Sequence, residues 1–379
     1  MEKLTRFRSE FPHTETGTLY LDHAAVSPMC VRVRRKVETY LRQAGGEKIN
    51  NFKETLELSA RIRGDFARLI QAPADRIAVV KNTTDGMILL ARGLRWSPGD
   101  RIVLHRMEFP SNVYPWYDLR PFGVEVDFLD APHGRVTPAD LEAKLRPGTR
   151  LVAVSWVQYL DGYRNDLKSL AEWCHERGIL LAVDAMQGLG ALEMKVEETG
   201  IDFLAAGTAK WMLGPQGVGF VYLTEALQQR LHPPHLGWHS RQDFFAFHDY
   251  AQPLKPGADR FEFATPFSLG IWAVSGALEV LLEAGQPEIE QRVLALTDRL
   301  HDGLRQNGFN IISDRSEGVK SGILTFTHPE QERNNRIFKE LTAAGVFISM
   351  RNNFLRVSPH FYNTEEEMDR FVEEVSRLM

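Results

Sequence analysis

The chain has 379 residues, 43% of them hydrophobic and 25% charged, with a formal net charge of −5. That length holds two or three domain-sized units with a sizeable core, and the composition excludes a disordered or collagen-like polymer. The mild negative balance, without a basic stripe of interleaved aromatics, argues against a nucleic-acid partner. Two cysteines, Cys30 and Cys174, cannot build a disulfide framework, so the expected setting is cytoplasmic. The opening residues Met1-Glu2-Lys3-Leu4-Thr5-Arg6-Phe7 lack the apolar stretch of a secretory signal. No run approaches the ~18 apolar residues of a membrane span, so no membrane partner is expected.

In chain order, residues 1–20 form a leading segment expected to pack across domains or against a partner chain. The cluster Arg32, Arg34, Arg35 and Lys36 reads as the polar side of a helix. Strand-like runs follow at 77–80, 101–104, 124–129, 151–156, 179–183, 201–206 and 219–223. Helical patterns alternate with them, such as 87–94 and 166–177, the latter capped by Asp166 and closed by Gly178. That alternation predicts an α/β fold, a mostly parallel seven-stranded sheet covered by helices on both faces. From Ser268 the pattern changes. Helices are expected at 271–283, 289–306 and 334–344, a hydrophobic run at 322–326, and strands at 346–350 and 354–358. A last amphipathic helix starts at Thr364 with Glu367 three residues on, a capping-box signature. The expected division is a leading segment at 1–20, a large domain at 21–267 and a smaller α+β domain at 268–379.

The run Ile179-Leu180-Leu181-Ala182-Val183 ends abruptly in Asp184, and Lys210 follows 26 residues later, just after Ile201-Asp202-Phe203-Leu204-Ala205-Ala206. In open α/β sheets ligands sit beyond the carboxyl ends of strands, so both groups should face one crevice. A carboxylate and a lysine there suit pyridoxal phosphate: the acid keeps the pyridine nitrogen protonated and the amine holds the aldehyde as a Schiff base. Singly, such an Asp is more often a cap and such a Lys a solvated surface group. Asn82-Thr83-Thr84-Asp85-Gly86, between a strand and a helical pattern, gathers hydroxyls and N–H groups into an anion site, although an N-cap without a ligand reads equally well. Phe109, in Glu108-Phe109-Pro110-Ser111-Asn112, offers a flat apolar face to an aromatic ring or is plain core.

Two rival chemistries fall away. Gly188-Leu189-Gly190 follows a strand, but the third glycine of a dinucleotide fingerprint would fall at Glu193. His232, His235 and His239 are close in sequence, yet Pro233 and Pro234 break any regular helical face, and no metal is expected.

Asn82-Thr83-Thr84-Asp85-Gly86, Val183-Asp184-Ala185-Met186-Gln187 and Ala206-Gly207-Thr208-Ala209-Lys210-Trp211 occur together in this order, with Tyr20-Leu21-Asp22-His23-Ala24-Ala25, Phe261-Glu262-Phe263-Ala264-Thr265-Pro266 and Asn363-Thr364-Glu365-Glu366-Glu367. In these motifs the chain resembles the class V aminotransferases, the group that includes cysteine desulfurases, selenocysteine lyases and isopenicillin N epimerase-like enzymes. The resemblance spans nearly the whole chain. It implies the fold of the aspartate aminotransferase type (fold type I) and pyridoxal 5′-phosphate as cofactor, with Lys210 as its Schiff-base lysine. It further implies Asp184 on the pyridine nitrogen, Gln187 on the phenolic oxygen, and Thr83 and Thr84 on the phosphate. Thr265 matches a residue that reaches the neighbouring subunit's phosphate, which implies a homodimer. Arg356 matches the arginine that grips the carboxylate of an amino-acid substrate, and His23 is a further candidate on the substrate side.

The chain departs from the desulfurases in three ways. Phe109 stands where they place a histidine over the ring, an arrangement closer to kynureninase-like relatives. Ala209 stands where a phosphate-binding polar group is common, with Thr208 as the candidate replacement. The segment Arg351-Asn352-Asn353-Phe354-Leu355-Arg356 is short and lacks the loop cysteine, which argues against a persulfide mechanism. Transamination is the expected reaction, with C–S lysis or epimerisation as alternatives, and Asn50, Asn51, Tyr159, Arg164, Trp238 and His239 are further candidates to select among them.

Overall fold

The structure is a computed structural model that describes residues 2–131 and 134–379. After helical turns comes a short strand, β1 (Leu19–Tyr20), and two helices, Val31–Arg42 and Phe52–Ile70. The main sheet holds β2 (Ile77–Val80), β3 (Arg101–His105), β4 (Glu125–Leu129), β5 (Thr149–Ser155), β6 (Leu180–Asp184), β7 (Phe203–Gly207) and β8 (Gly219–Leu223). Their spatial order is β2-β8-β7-β6-β5-β3-β4. The five strands from β7 to β4 pair in parallel, and β8 runs against both of its neighbours. Residues 208–218 contain no helix, and without a crossover helix the chain returns antiparallel.

Every residue of β6 and β7 is buried, as a sheet covered on both faces requires. Alternate residues serve opposite faces. Val152, Val154, Leu181, Val183 and Leu204 join one core with Ile62, Phe66 and Leu278, whereas Leu151, Ala153, Leu180, Ala182 and Phe203 join another with Met87, Leu90 and Trp116. The helix Thr83–Gly93 lies so close to the sheet that a Cβ on Gly86 would sit 2.7 Å from both Ala205 Cβ and Val221 Cγ1. Gly86→Ala is therefore expected to destabilise the fold by about 1–3 kcal/mol through overpacking. Thermal unfolding checks this, and an unchanged midpoint would show that the helix can lift from the sheet without cost.

The later strands are β9 (Asn310–Ile311), β10 (Leu324–Thr327), β11 (Val346–Phe347), β12 (Ser349–Arg351) and β13 (Phe354–Val357). Four make an antiparallel sheet in the order β12-β13-β10-β9, while β11 pairs in parallel with β1. The single strand expected at 346–350 is thus two, because its halves pair with different partners. The helices Ser268–Ala284, Gln286–Gln306, Asn334–Ala343 and Glu365–Ser376 complete this part. The last begins with the expected capping box: Thr364 Oγ1 accepts from the Glu367 N–H at 3.3 Å, and the Glu367 carboxylate accepts from the Thr364 N–H at 3.0 Å. The leading segment packs across onto this region, with Phe11 stacked on Tyr362 at 3.6 Å and Phe7 edge-on to Phe361. No single helix among the described residues is long and apolar enough to cross a membrane.

Candidate active site

β6 and β7 lie side by side in parallel, with Asp184 paired to Ala205, so their carboxyl ends open onto one crevice. A cavity of about 290 Å³ lies there, lined by Thr83, Thr84, Phe109, Tyr159, Asp184, Gln187 and Lys210. Asp184 is 5% exposed and Oδ1 accepts from the Met186 N–H at 2.9 Å. Burial pushes this carboxyl up to about 6, against the pull of Lys210. Burial pushes the Lys210 amine down to about 8; the Arg356 charge adds to this, and Asp184 opposes it. Lys210 Nζ stands 5.6 Å from the centre of the Phe109 ring.

At the other end of the cavity, Thr83 and Thr84 open the helix Thr83–Gly93. Asn82 Oδ1 caps it by accepting from the Asp85 N–H, and the Asp85 carboxylate accepts from the Lys81 N–H at 3.0 Å. Asp85 is therefore spent on its own turn and does not compete for an anion. Thr83 Oγ1 accepts from the Gly207 N–H at 2.9 Å, which leaves the hydroxyl proton to donate elsewhere. The Thr84 hydroxyl donates to Ser111 Oγ at 2.8 Å. Hydroxyls at a helix N-terminus make this end suited to a phosphate.

The structure gathers Lys210, Asp184, Gln187, Thr83, Thr84, Phe109, Thr208 and Tyr159 around the cavity and leaves the other candidates outside it. Gln187 Oε1 accepts from Trp211 Nε1 at 2.9 Å and Nε2 donates to the Ala24 carbonyl, so one N–H remains for a ligand. The Thr208 hydroxyl is turned to the carbonyls of Pro215 and Val218, at 2.8 and 3.0 Å, and holds the turn after β7. Thr265 is exposed and lines a separate cavity that shares only Gly217 and Val218 with the first. Arg356 is 1% exposed, behind Tyr159, whose carbonyl accepts from its Nη1 at 2.6 Å. His23 is fully buried, with Nδ1 on the Ser358 carbonyl and Nε2 on the Tyr362 hydroxyl, so it braces the fold and does not meet the cavity. Burial holds its imidazole neutral. Of the further candidates, Tyr159 lines the cavity, edge-on to Phe109 at 5.4 Å. Arg164 is paired with Glu290, His239 is bonded to the Glu262 carbonyl, and Trp238 packs near Phe52. Asn50 and Asn51 flank the start of the helix Phe52–Ile70. Among the described residues no three His, Cys, Asp or Glu side chains cluster as a metal site.

Glu108 is the residue that sequence reading passed over. It is 6% exposed; its carboxyl accepts from the Ser155 N–H at 2.8 Å and from Asn112 Nδ2 at 3.0 Å. It thereby ties the loop carrying Phe109 to the end of β5, beside Asp184. Burial pushes this carboxyl up to about 7. Its place in the motif around Phe109 was visible in the sequence, but not its direction.

The model of the aminotransferase class-V family matches residues 19–371 of this chain. The chain belongs to the aminotransferase class-V family. The class-V enzymes are pyridoxal-phosphate-dependent. Among curated proteins, the chain is 30% identical over 371 residues to the uncharacterized aminotransferase YcbU of Bacillus subtilis, covering 98% of this chain and 97% of that one. It is 28% identical to a probable cysteine desulfurase of Methanothermobacter thermautotrophicus, covering 95% and 94%. Among solved structures, the apo cysteine desulfurase of Thermococcus onnurineus superposes with a TM-score of 0.88 at 24% identity, over 98% of this chain and 97% of that one. The seven-stranded, mostly parallel sheet with a small antiparallel sheet is thus the class-V fold.

Proposed function

We propose that this class-V enzyme is an aminotransferase acting on an amino acid, with pyridoxal 5′-phosphate held by Lys210 and Asp184. The observation that carries the reading is that one cavity brings together a buried carboxyl, an amine of lowered pKa, a flat apolar wall and a helix N-terminus. The cofactor supplies an aldehyde that joins an amine, and a cationic ring that takes up the electron pair left at a substrate α-carbon. Asp184 fits the ring nitrogen, because a carboxyl strained by burial is relieved by a cation at the same wall. The spare N–H of Gln187 fits the phenolic oxygen, and Phe109 fits the ring face. Thr83 and Thr84 fit the phosphate, while Thr208 serves by holding the loop that carries Lys210.

Lys210 Nζ, lowered to about 8, reaches the uncharged form far more readily than an ordinary lysine and so suits taking and returning the α-proton. Arg356, whose charge is felt at Lys210, serves the substrate carboxylate. Thr265, exposed and apart from its own chain's cavity, suits a homodimer in which it reaches the neighbour's site. Both cysteines are buried, with burial pushing Cys30 up to about 11 and Cys174 up to about 12, so neither suits a persulfide mechanism. The test is to incubate the holoenzyme with a panel of amino acids, with and without a keto-acid acceptor. Product formation that strictly needs the acceptor supports transamination. Pyruvate and sulfide released from cysteine without an acceptor would make the enzyme a C–S lyase instead.

A further inference from the structure

Trp211 follows Lys210 directly, yet its side chain does not line the cavity. It is fully buried and held from several sides. A Cβ on Gly322 would come within 2.7 Å of Cη2 at the far edge of its ring, so the indole packs there against bare backbone. His23 and His360 flank the ring, with centroids 6.1 and 5.6 Å away. The Trp211 carbonyl is held as well. His360 Nδ1 accepts from the Phe361 N–H, so Nε2 carries the proton and donates it to that carbonyl at 2.8 Å. His360 is itself set by its own N–H, given to Asn363 Oδ1 at 2.8 Å just before the capping box.

This fixed indole aims a single donor. An indole nitrogen only donates, so the atom of Gln187 that faces it at 2.9 Å is Oε1. The amide is set from its other end too, because Nε2 donates to the Ala24 carbonyl at 3.0 Å and a carbonyl only accepts. Turned over, the amide would set N–H against N–H and oxygen against oxygen in a buried site, where unpaired polar groups are costly. Gln187 therefore keeps its second N–H for the cavity and cannot present its oxygen there. The titratable groups packed against the indole, His23 and His360, are held neutral by burial. At Lys210 the charges felt are those of Arg356, Asp184, Arg351 and Asp22.

We infer that Trp211 is a positioning residue: its indole N–H fixes the Gln187 amide so that a donor, never an acceptor, meets the phenolic oxygen of the cofactor. This rests on the pyridoxal-phosphate reading and deepens it. A donor at that oxygen stabilises its negative charge, most of all when the Lys210 nitrogen beside it is unprotonated. It thereby holds down the pH at which that nitrogen titrates. Through His360 and Gly322, residues far along the chain set the direction of one amide beside the cofactor.

The test is a pH titration of the visible band of the holoenzyme in a double-mutant cycle. Gln187→Met removes the donor and should raise the midpoint by about one to two pH units, the worth of a hydrogen bond to a charged group. Trp211→Phe keeps an aromatic ring but removes the N–H, and should raise the midpoint by about half a unit or more, as loss of a neutral hydrogen bond does. In the Gln187→Met background, Trp211→Phe should add nothing further, because the two act as one unit. A Trp211→Phe midpoint equal to the wild type's, a shift that persists unchanged in the Gln187→Met background, or no shift in Gln187→Met itself overturns the inference. Should Trp211→Phe fail to fold, the indole N–H signals of the seven tryptophans decide in its place. Between wild type and Gln187→Met one of them should move upfield as its hydrogen bond is lost, and no movement overturns the inference. A wild-type protein that forms no borohydride-sensitive band overturns the cofactor reading itself; an intact band whose midpoint answers to Gln187 but not to Trp211 overturns only this step.

Discussion

Asp184→Asn should lower kcat/KM roughly 10²–10³-fold, the loss expected when a preorganised charge that stabilises the transition state is removed. Among the described residues lining the cavity, Asp184 is the one carboxylate. Asparagine keeps an acceptor for the Met186 N–H, so the turn after β6 should stand, and only the charge facing the ring nitrogen is lost. Stability separates this effect from a folding defect. The Asp184 carboxyl sits at about 6 in the fold, above its unfolded value, so the native state binds more protons between about pH 4 and 6. Its contribution is fully present below that window and is lost as pH rises through 6. Without cofactor, the variant should therefore be at least as stable as the wild type at pH 7, while the cofactor stabilises it less. A variant that unfolds at lower temperature in both forms, or one that keeps full activity, would remove Asp184 from the chemistry.

Lys210→Ala should have the larger effect, at least 10³–10⁴-fold in kcat, because one side chain both anchors the cofactor and moves the proton. The pH dependence should follow the same amine. With Lys210 lowered to about 8, the uncharged form that accepts a proton grows as pH rises from 7 through 8, and the rate of the proton-transfer step should rise with it. Stability carries the same sign. Between about pH 8 and 10 the unfolded chain still holds the lysine proton that the native site has released, so the stability of the cofactor-free wild type should rise across that window. Lys210→Ala should lack that rise. A flat rate profile over this range, or turnover by the alanine variant near the wild-type rate, contradicts the assignment.

The elements legible in the sequence were those whose burial leaves a one-dimensional trace. β6 and β7 are covered on both faces, so they read as unbroken apolar runs, and the polar residues that end them stand out. Asp184, at the end of β6, and Lys210, three residues past β7, were singled out that way, and the capping box at Thr364 was legible from its own spacing. What escaped depends on direction and partner. The run at 346–350 divides because Val346 and Phe347 pair with β1, while Ser349 to Arg351 pair with β13. His23 was a candidate on the substrate side, but the fold sinks it between Ser358 and Tyr362. Thr208 stands beside the cavity with its hydroxyl turned to Pro215 and Val218, a matter of one torsion that no spacing encodes. Arg356 and Glu108 teach the same point: the sequence shows that a charged residue is present, and only packing shows which neighbour claims it.

The most direct measurement is to load the protein with pyridoxal 5′-phosphate, reduce it with borohydride and map the modified peptide. The label should fall on Lys210, within Gly207-Thr208-Ala209-Lys210-Trp211, with loss of the visible band. Label on a different lysine, or none on the wild-type chain, would contradict the account.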